Sequence, residues 1–341
     1  MKKFLAIILA IAMVMAISAF AFADDAKPGE GITIGVVYKQ SGNAYFQAGV
    51  EGFQKAADEL GFEFMHDGPE DSSNDGQERI IRNYMDQGVD VLAISANDAA
   101  GLVDVCKEAK EKGIVVLSWD AKVDPEGRDL DIEPASSKVI GITQLESLAE
   151  SCGFEGKIGI VSAGATAPNQ NLWIGFIQEE FANNEKYANM TLLDPVYGDD
   201  DYTKSYDVTK ALLDANPDLK GLIVPTTVGG PAVSKCIKDE GLAGQVKVTG
   251  LTLATDMAEY IHEGIADATF LWNPIEIGYV SAYVGVAMVN GEFEAAEGAT
   301  IEVPGFEGLE VTASDDGGLI LFLNKLNAFT DETVDSWIGI L

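Results

Sequence analysis

The sequence predicts an α/β protein with two similar halves, each a parallel β-sheet covered by helices on both faces. Short, continuous apolar segments alternate with amphipathic helical segments along most of the chain, a pattern typical of parallel sheets that are buried on both sides. The alternation restarts near residue 157, after a helical segment near 136–151. The chain from 24 to 341 is long for one compact core and sufficient for two domains.

The first half begins with a strand and a helix. Residues 32–37 read ITIGVV, a strand, and AYFQAGVEGFQKAADELG then places apolar side chains at helical spacing and ends on Gly61, a helix stop. The following segments continue the alternation as strand FEFM, helix QERIIRNYMDQG, strand VDVLAISA, helix AGLVDVCKEAKEKG and strand GIVVLSW. The second half repeats it with strands at 157–161, 222–224 and 246–250 and helical segments between them.

The N-terminus predicts export. Two lysines follow Met1, residues 4–20 are almost wholly apolar, and Ala21-Phe22-Ala23 supplies small residues before a cleavage point. We therefore predict a signal peptide at 1–23 and an exported protein, in the periplasm or at the extracellular face of the cell membrane. Since no cysteine follows the apolar run, we expect no lipoprotein-type attachment.

Charge and composition exclude several classes of function. Asp and Glu number 55 against 22 Lys and Arg, a formal net charge of −33, which repels phosphate backbones and anionic lipid surfaces. Three scattered cysteines form no C-x-x-C pair, and two distant histidines have no partners at metal-ligand spacing. Neither G-x-G-x-x-G nor G-x-x-x-x-G-K-[ST] occurs at a strand end. We expect no nucleic-acid partner, no metal and no cofactor.

The ends of the strands are the places to look for a ligand, because ligands of open parallel sheets bind beyond the carboxyl ends of the strands. Trp119 and Asp120 end one strand; an indole packs on the flat C–H face of a sugar, and a carboxylate accepts from vicinal hydroxyls. The candidate ligand walls are Trp119, Trp272, Tyr45 and Phe46, and the candidate polar groups are Asp120, Lys39 and Asn273. The alternative is that the aromatic residues are core and that Asp120 only caps the next element.

The order of these segments resembles the periplasmic sugar-binding proteins of ABC transporters, of the ribose-binding type. The segments that carry the resemblance are ITIGVVYKQSGNAYFQAGVEGFQKAADELG, GQERIIRNYMDQGVDVLAISA, GIVVLSWDA and FLWNPIEIG. It implies a type I periplasmic binding protein fold: two Rossmann-like lobes joined by a three-segment hinge, with the ligand in the cleft and closure by hinge motion. It also implies a monomer that delivers its ligand to a membrane permease and is not an enzyme.

The same resemblance implies limits for the lobes. The first lobe is expected at 24–125 plus 273–295 and the second at 126–272 plus 296–341, with crossings near 121–131, 272–273 and 292–300.

Within that family, the chain is most similar to the autoinducer-2-binding proteins of the Lsr type and to their rhamnose-binding relatives. The segments concerned are HDGPEDSSNDGQ, VLSWDAKVDPEGR, APNQNLW, YGDDDYTKS and IVPTTVGGP. The site residues of the autoinducer-2 proteins match Lys39, Asp120, Gln170 and Pro225, whereas Asn169 stands in place of an aspartate and Thr227 in place of an alanine. From the residues alone, YGDDDYTKS is interpreted as a solvated loop, because it lacks the ligand spacing of a calcium loop.

The two departures bear on the choice of ligand. An amide keeps one acceptor oxygen, replaces the other with a donor and removes the charge, while a threonine narrows the pocket and adds a hydroxyl. Four matches of six slightly favour autoinducer-2. The alternatives are a pentose or deoxyhexose such as ribose or rhamnose, and a ligand-sensing chemoreceptor partner without a role in transport.

Overall fold

The computed structural model describes residues 27–323 and 325–340, so the predicted signal peptide at 1–23 lies outside the described residues. The strands are β1 Thr33–Val37, β2 Glu63–Asp67, β3 Val91–Ile94, β4 Val115–Trp119, β5 Leu130–Glu133, β6 Gly156–Ser162, β7 Met190–Leu192, β8 Val196–Tyr197, β9 Leu219–Val224, β10 Lys247–Gly250, β11 Ala268–Leu271, β12 Thr300–Val303, β13 Phe306–Ala313, β14 Leu319–Phe322 and β15 Asn327–Thr330. The helices are α1 Ala44–Leu60, α2 Asn74–Gln87, α3 Val103–Glu111, α4 Ser137–Ser151, α5 Pro168–Asn183, α6 Tyr202–Ala215, α7 Gly229–Asp239, α8 Ala254–His262 and α9 Pro274–Val289.

The first lobe is built on an eight-stranded sheet in the order β12-β13-β14-β5-β4-β3-β1-β2. Strands β1 to β5 and β14 run parallel, and β12 and β13 add an antiparallel edge. Because side chains alternate along a strand, Leu92 and Ile94 pack under α2 and α3, while Val91 and Ala93 face α1 and α9. Helices therefore cover both faces, as predicted.

The second lobe repeats this arrangement. Its parallel sheet has the order β10-β9-β6-β7, with β8 also paired to β6. Helices α4 and α5 cover one face through a core that includes Leu148 and Ile177, and α6, α7 and α8 pack on the other. The predicted α/β class, with two parallel sheets flanked by helices, is confirmed.

The sheet pairing differs from the lobe limits expected from the sequence. Strand β5 pairs with β4 and with β14, so these strands belong to the first sheet although they lie in the ranges assigned to the second lobe. The chain passes between the lobes at 133–137 and 271–274, and again between β14, in the first sheet, and β15, which pairs with β11. The resemblance implies a first crossing near 121–131, whereas β5, which carries the buried carboxylates Asp131 and Glu133, is still a strand of the first sheet.

A search of the described helices for a membrane span finds none that is long and apolar enough.

Candidate functional site: a cavity between the lobes

A cavity with an empty volume of about 370 Å³ lies where the strand ends of the two lobes face each other. The residues that line it are Lys39, Asn43, Tyr45, Phe46, Asp120, Asn169, Gln170, Trp173, Asp200, Pro225, Thr226, Thr227, Leu251, Leu271 and Trp272. The chain therefore presents polar and aromatic side chains from both lobes to one cavity.

Asp120 follows β4 and is held by a chain of hydrogen bonds. Its Oδ1 accepts from the Tyr45 hydroxyl at 2.5 Å, and its Oδ2 accepts from the Ser95 hydroxyl at 3.0 Å. The Trp272 indole N–H donates in turn to the Tyr45 oxygen at 2.6 Å. Burial raises the pKa of Asp120, and the nearby Lys39 ammonium opposes that rise. Each carboxylate oxygen is thus fixed in direction and retains lone-pair capacity for a ligand hydroxyl.

Lys39 follows β1 and spans the cleft. Its side chain is buried, and Nζ donates to Asn169 Oδ1 at 2.8 Å and to Gln170 Oε1 at 3.3 Å, both in the second lobe. Burial lowers the pKa of Lys39, whereas the charges of Asp120 and Asp200 raise it. The ammonium therefore depends on these two carboxylates for its charge balance.

The two amides that meet Lys39 occupy the first turn of α5. Pro168 sits at the first helical position, where its fixed φ favours a helix start and its missing N–H costs nothing. Asn169 and Gln170 follow at once and are buried, so they face the cleft rather than solvating the helix end. Gln170 Nε2 also donates to the Pro225 carbonyl at 3.3 Å, which ties the α5 start to the loop after β9.

Nine of the eleven predicted site residues line the cavity: Lys39, Tyr45, Phe46, Asp120, Asn169, Gln170, Pro225, Thr227 and Trp272. Asn273 does not line it. Its Oδ1 accepts from the Ile275 N–H at 3.0 Å and caps α9, which is the ordinary role of an asparagine just before a helix.

Trp119 also lies away from the cavity. It is 0% exposed and packs edge-on against Phe46 and Phe53, with ring centroids 5.9 and 5.5 Å apart. A Cβ on Gly49 would lie 2.5 Å from its ring, so the α1 backbone approaches the indole closely. The strand ends at Trp119, inside the core, whereas Asp120 lies just beyond it with a left-handed backbone (φ 67°) and reaches the cavity. Trp119 therefore does not line the cavity, contrary to the expectation that it forms a ligand wall.

Several lining residues were not predicted: Asn43, Trp173, Asp200, Thr226, Leu251 and Leu271. Trp173 lies one helical turn after Asn169, and that i,i+4 spacing places both on one face of α5. Asp200 belongs to the segment interpreted as a solvated loop, yet burial raises its pKa, and its Oδ1 accepts a hydrogen bond from the Thr226 hydroxyl. Nothing in three consecutive aspartates distinguishes the one that turns inward.

Comparisons with known proteins agree with this architecture. Residues 34–293 match the model of the periplasmic binding protein domain. The chain is 29% identical over 242 residues to the D-ribose/D-allose-binding protein of Pseudomonas aeruginosa, covering 66% of this chain and 72% of that protein. It is 25% identical to the ribose import binding protein RbsB of Salmonella typhimurium, covering 86% of this chain and 94% of that protein.

Two solved structures are also similar. An ABC transporter solute-binding protein from Clostridium phytofermentas with bound L-rhamnose superposes with a TM-score of 0.89 at 33% identity, covering 91% of this chain and 99% of the other. LsrB from Clostridium saccharobutylicum in complex with AI-2 gives a TM-score of 0.84 at 24% identity, covering 90% and 99%. At that lower identity the likeness concerns the fold.

Proposed function

The chain belongs to the periplasmic binding protein family, among the sugar-binding proteins of ABC transporters, and we propose that it encloses one small polyhydroxylated ligand that carries a methyl group. We further propose that it is exported, acts as a monomer, closes by hinge motion and hands its ligand to a membrane permease. The proposal has no catalytic step, since the relatives are solute-binding proteins.

The observation that carries the proposal is the convergence of fixed polar groups from both lobes. Asp120, oriented by Tyr45, is an acceptor from the first lobe, and Asn169 and Gln170 provide amides from the second. Lys39 lies between them. A cyclic polyol has hydroxyls on opposite edges of its ring, so it can hydrogen-bond to polar groups of both lobes at once. Its binding therefore favours the closed form over the open one.

The methyl group follows from the apolar part of the lining. Trp173 and Trp272 meet edge-on with ring centroids 5.8 Å apart, and Leu251 and Leu271 also line the cavity. The Trp272 N–H already donates to Tyr45, and Leu251 and Leu271 have no polar side-chain atoms, so a ligand edge that faces these three side chains is better apolar than hydroxylated.

A 6-deoxyhexose such as L-rhamnose is the first candidate ligand. It combines vicinal hydroxyls with a methyl group, and the L-rhamnose-bound relative is 33% identical over nearly the whole chain. Autoinducer-2, a smaller ring that also carries hydroxyls and a methyl, is the second candidate. It is favoured by the presence in the cavity of Lys39, Asp120, Gln170 and Pro225. A pentose such as ribose lacks the methyl and is expected to bind more weakly.

Ligand binding by the mature chain, residues 24–341, tests the proposal. L-rhamnose, autoinducer-2, D-ribose and D-xylose are compared by thermal shift and isothermal titration calorimetry. A ligand at 100 times its Kd stabilises the folded state by about 2.7 kcal/mol, so a cognate ligand raises the melting temperature by several degrees. The proposal fails if none of the four changes the melting temperature and none gives a binding isotherm.

A role in transport and a role in sensing would use the same binding site, so experiments in cells are needed to distinguish them. Deleting the gene should abolish uptake of the radiolabelled ligand identified above, with uptake restored by the wild-type gene. Unchanged uptake together with a lost chemotactic response to that ligand would instead assign the protein to a sensing pathway. Recovery of the titrated ligand chemically unchanged, checked by chromatography, tests the absence of an enzymatic role.

A further inference from the structure

Asp200 is a second carboxylate in the cavity, on the loop between β8 and α6. It lines the cavity together with Thr226, whose hydroxyl donates to Asp200 Oδ1. Among the described residues, no group donates to Oδ2. The backbone of Asp200 has a φ of 51°, in the left-handed region that aspartate and asparagine tolerate better than most residues.

The loop has hydrogen bonds of its own besides the one between the Asp200 carboxylate and Thr226. Backbone hydrogen bonds from Gly198 to Ser162 at 2.8 Å and from Asp199 to Ala163 at 3.2 Å fix its first part. The next residue, Asp201, caps α6 by accepting from the Lys204 N–H at 2.7 Å. These hydrogen bonds of the loop and of the helix start do not involve the Asp200 carboxylate, which lines the cavity.

The charges of the cavity are unequal. Of its described lining residues, Asp120 and Asp200 are acidic and Lys39 alone is basic. Burial raises the pKa of Asp200, and the Asp200 charge contributes to the raised pKa of Asp120, so the two carboxylates already repel each other. An anionic ligand would add a further negative charge in a buried place with no free cation to meet it.

We infer that Asp200 is a ligand-binding, specificity-determining residue: it accepts a hydrogen bond from a ligand hydroxyl on the second-lobe side and makes the site select neutral polyols over sugar acids. The inference rests on the proposed function and deepens it. Asp120 acts from the first lobe and Asp200 from the second, so a ligand must donate at two separated hydroxyls to bind in the closed cleft.

The test compares the Asp200→Asn variant with wild type by isothermal titration calorimetry. The ligands are L-rhamnose, autoinducer-2, D-ribose and the acid L-rhamnonate. Asparagine tolerates the left-handed backbone, removes the charge and replaces one acceptor oxygen with an NH₂ donor. Losing a hydrogen bond to a charged group weakens binding of the preferred neutral ligand by about 10- to 100-fold. The affinity for L-rhamnonate should fall little or rise, so the ratio of affinities for the neutral ligand over the acid becomes smaller.

Asp199→Asn is the matched control. It removes the same charge from an exposed neighbour that also has a left-handed backbone, and its affinity for the neutral ligand should stay within about 2-fold of wild type.

A second variant guards against a folding defect. Asp200→Gly lacks the carboxylate but suits a φ of 51°, and the unliganded melting temperature of both variants reports their folding. Wild-type affinity and wild-type discrimination against L-rhamnonate in either folded variant overturn the inference and leave the proposed function standing. If the wild-type protein binds none of the neutral ligands, the proposed function fails and the inference fails with it.

Discussion

The Nζ atom of Lys39 lies 2.8 Å from Oδ1 of Asn169, and this hydrogen bond joins residues 130 positions apart on opposite lobes. A second contact across the cleft, from the Thr166 hydroxyl to the Asn97 carbonyl, measures 3.4 Å. The closed arrangement is thus held partly by a residue that also belongs to the ligand site. Closure and ligand binding therefore share one side chain, and a change at Lys39 should affect both.

Replacing Lys39 with methionine should weaken binding by at least about 100-fold, since it leaves two buried carboxylates without their cation. Methionine keeps the apolar stem and removes the charge, so the loss reports electrostatics more than packing. Isothermal titration calorimetry with L-rhamnose and autoinducer-2 measures the affinity, and small-angle scattering of the unliganded protein should show a larger radius of gyration. The exposed Lys107→Met serves as control. Wild-type affinity together with wild-type scattering in the Lys39 variant would contradict the bridging role.

Substitutions of Trp119 and Trp272 should separate stability from binding. Trp119→Ala is expected to lower the free energy of unfolding by about 3–5 kcal/mol, because the ring is wholly buried against Phe46 and Phe53. Trp272→Phe keeps most of the apolar surface but removes the donor to Tyr45, so it should weaken ligand binding by about 5- to 10-fold with a small effect on stability.

Denaturant unfolding and calorimetry on both tryptophan variants provide the measurements. A Trp119 variant that kept its stability and lost only its ligand would restore Trp119 as a ligand wall.

Local sequence patterns predict most of the fold and part of the candidate site. Apolar strands that alternate with amphipathic helices predict parallel sheets, and the strand-end rule then points to Lys39 and Asp120. The same rule does not tell which way a side chain points. Trp119 and Asp120 are neighbours in sequence, yet one lies in the core and the other at the cavity. Asp120 has left strand geometry, with a φ of 67°, so the alternation of strand side chains does not predict its direction.

The features that were missed depend on contacts between distant parts of the chain. Strand β5 holds Asp131 and Glu133 in the first lobe, near Arg128, whose guanidinium pairs with Asp316 at 2.9 Å from 188 positions away. No local pattern predicts that a charged segment is buried through such a partner. The inward turn of Asp200 likewise depends on Thr226, which follows a different strand.

The buried Asp131 should make stability depend on pH. Burial raises its pKa from the ordinary 3.8 to about 6, although Arg128 opposes the rise. The folded state holds the Asp131 proton more tightly than the unfolded state does. The stability that this proton contributes to the free energy of unfolding is therefore fully present below about pH 4 and is lost as the pH rises through about 6. Asp131→Asn should therefore raise the melting temperature at pH 7.5 and flatten its pH dependence between about pH 4 and 6.

Scanning calorimetry at half-unit pH steps measures the difference between wild type and variant. Because the Asp131 charge also raises the pKa of Glu133, the difference reports the titration of these two carboxyls together. Arg128 retains its ion pair with Asp316 in the variant, so no new unpaired cation is introduced. Glu126→Gln, an exposed change in the same segment, should leave the pH profile unchanged. A variant destabilised equally at all pH values would mean that Asp131 is a fixed structural charge.

The choice between autoinducer-2 and a deoxyhexose should depend on Asn169 and Thr227. In the double variant Asn169→Asp with Thr227→Ala, the new carboxylate pairs with Lys39 through the oxygen position that already accepts its bond and offers its second oxygen to a hydroxyl. The alanine removes a methyl and a hydroxyl from the lining. The ratio of affinities for autoinducer-2 over L-rhamnose, measured by calorimetry, should rise by about 10-fold or more, the range that one charge-assisted hydrogen bond supports.

The control is Asn171→Asp, at an exposed position of the same helix. It adds the same charge outside the cavity and should not change the ratio of affinities. Equal changes in both affinities, or none, would mean that these two positions do not choose the ligand.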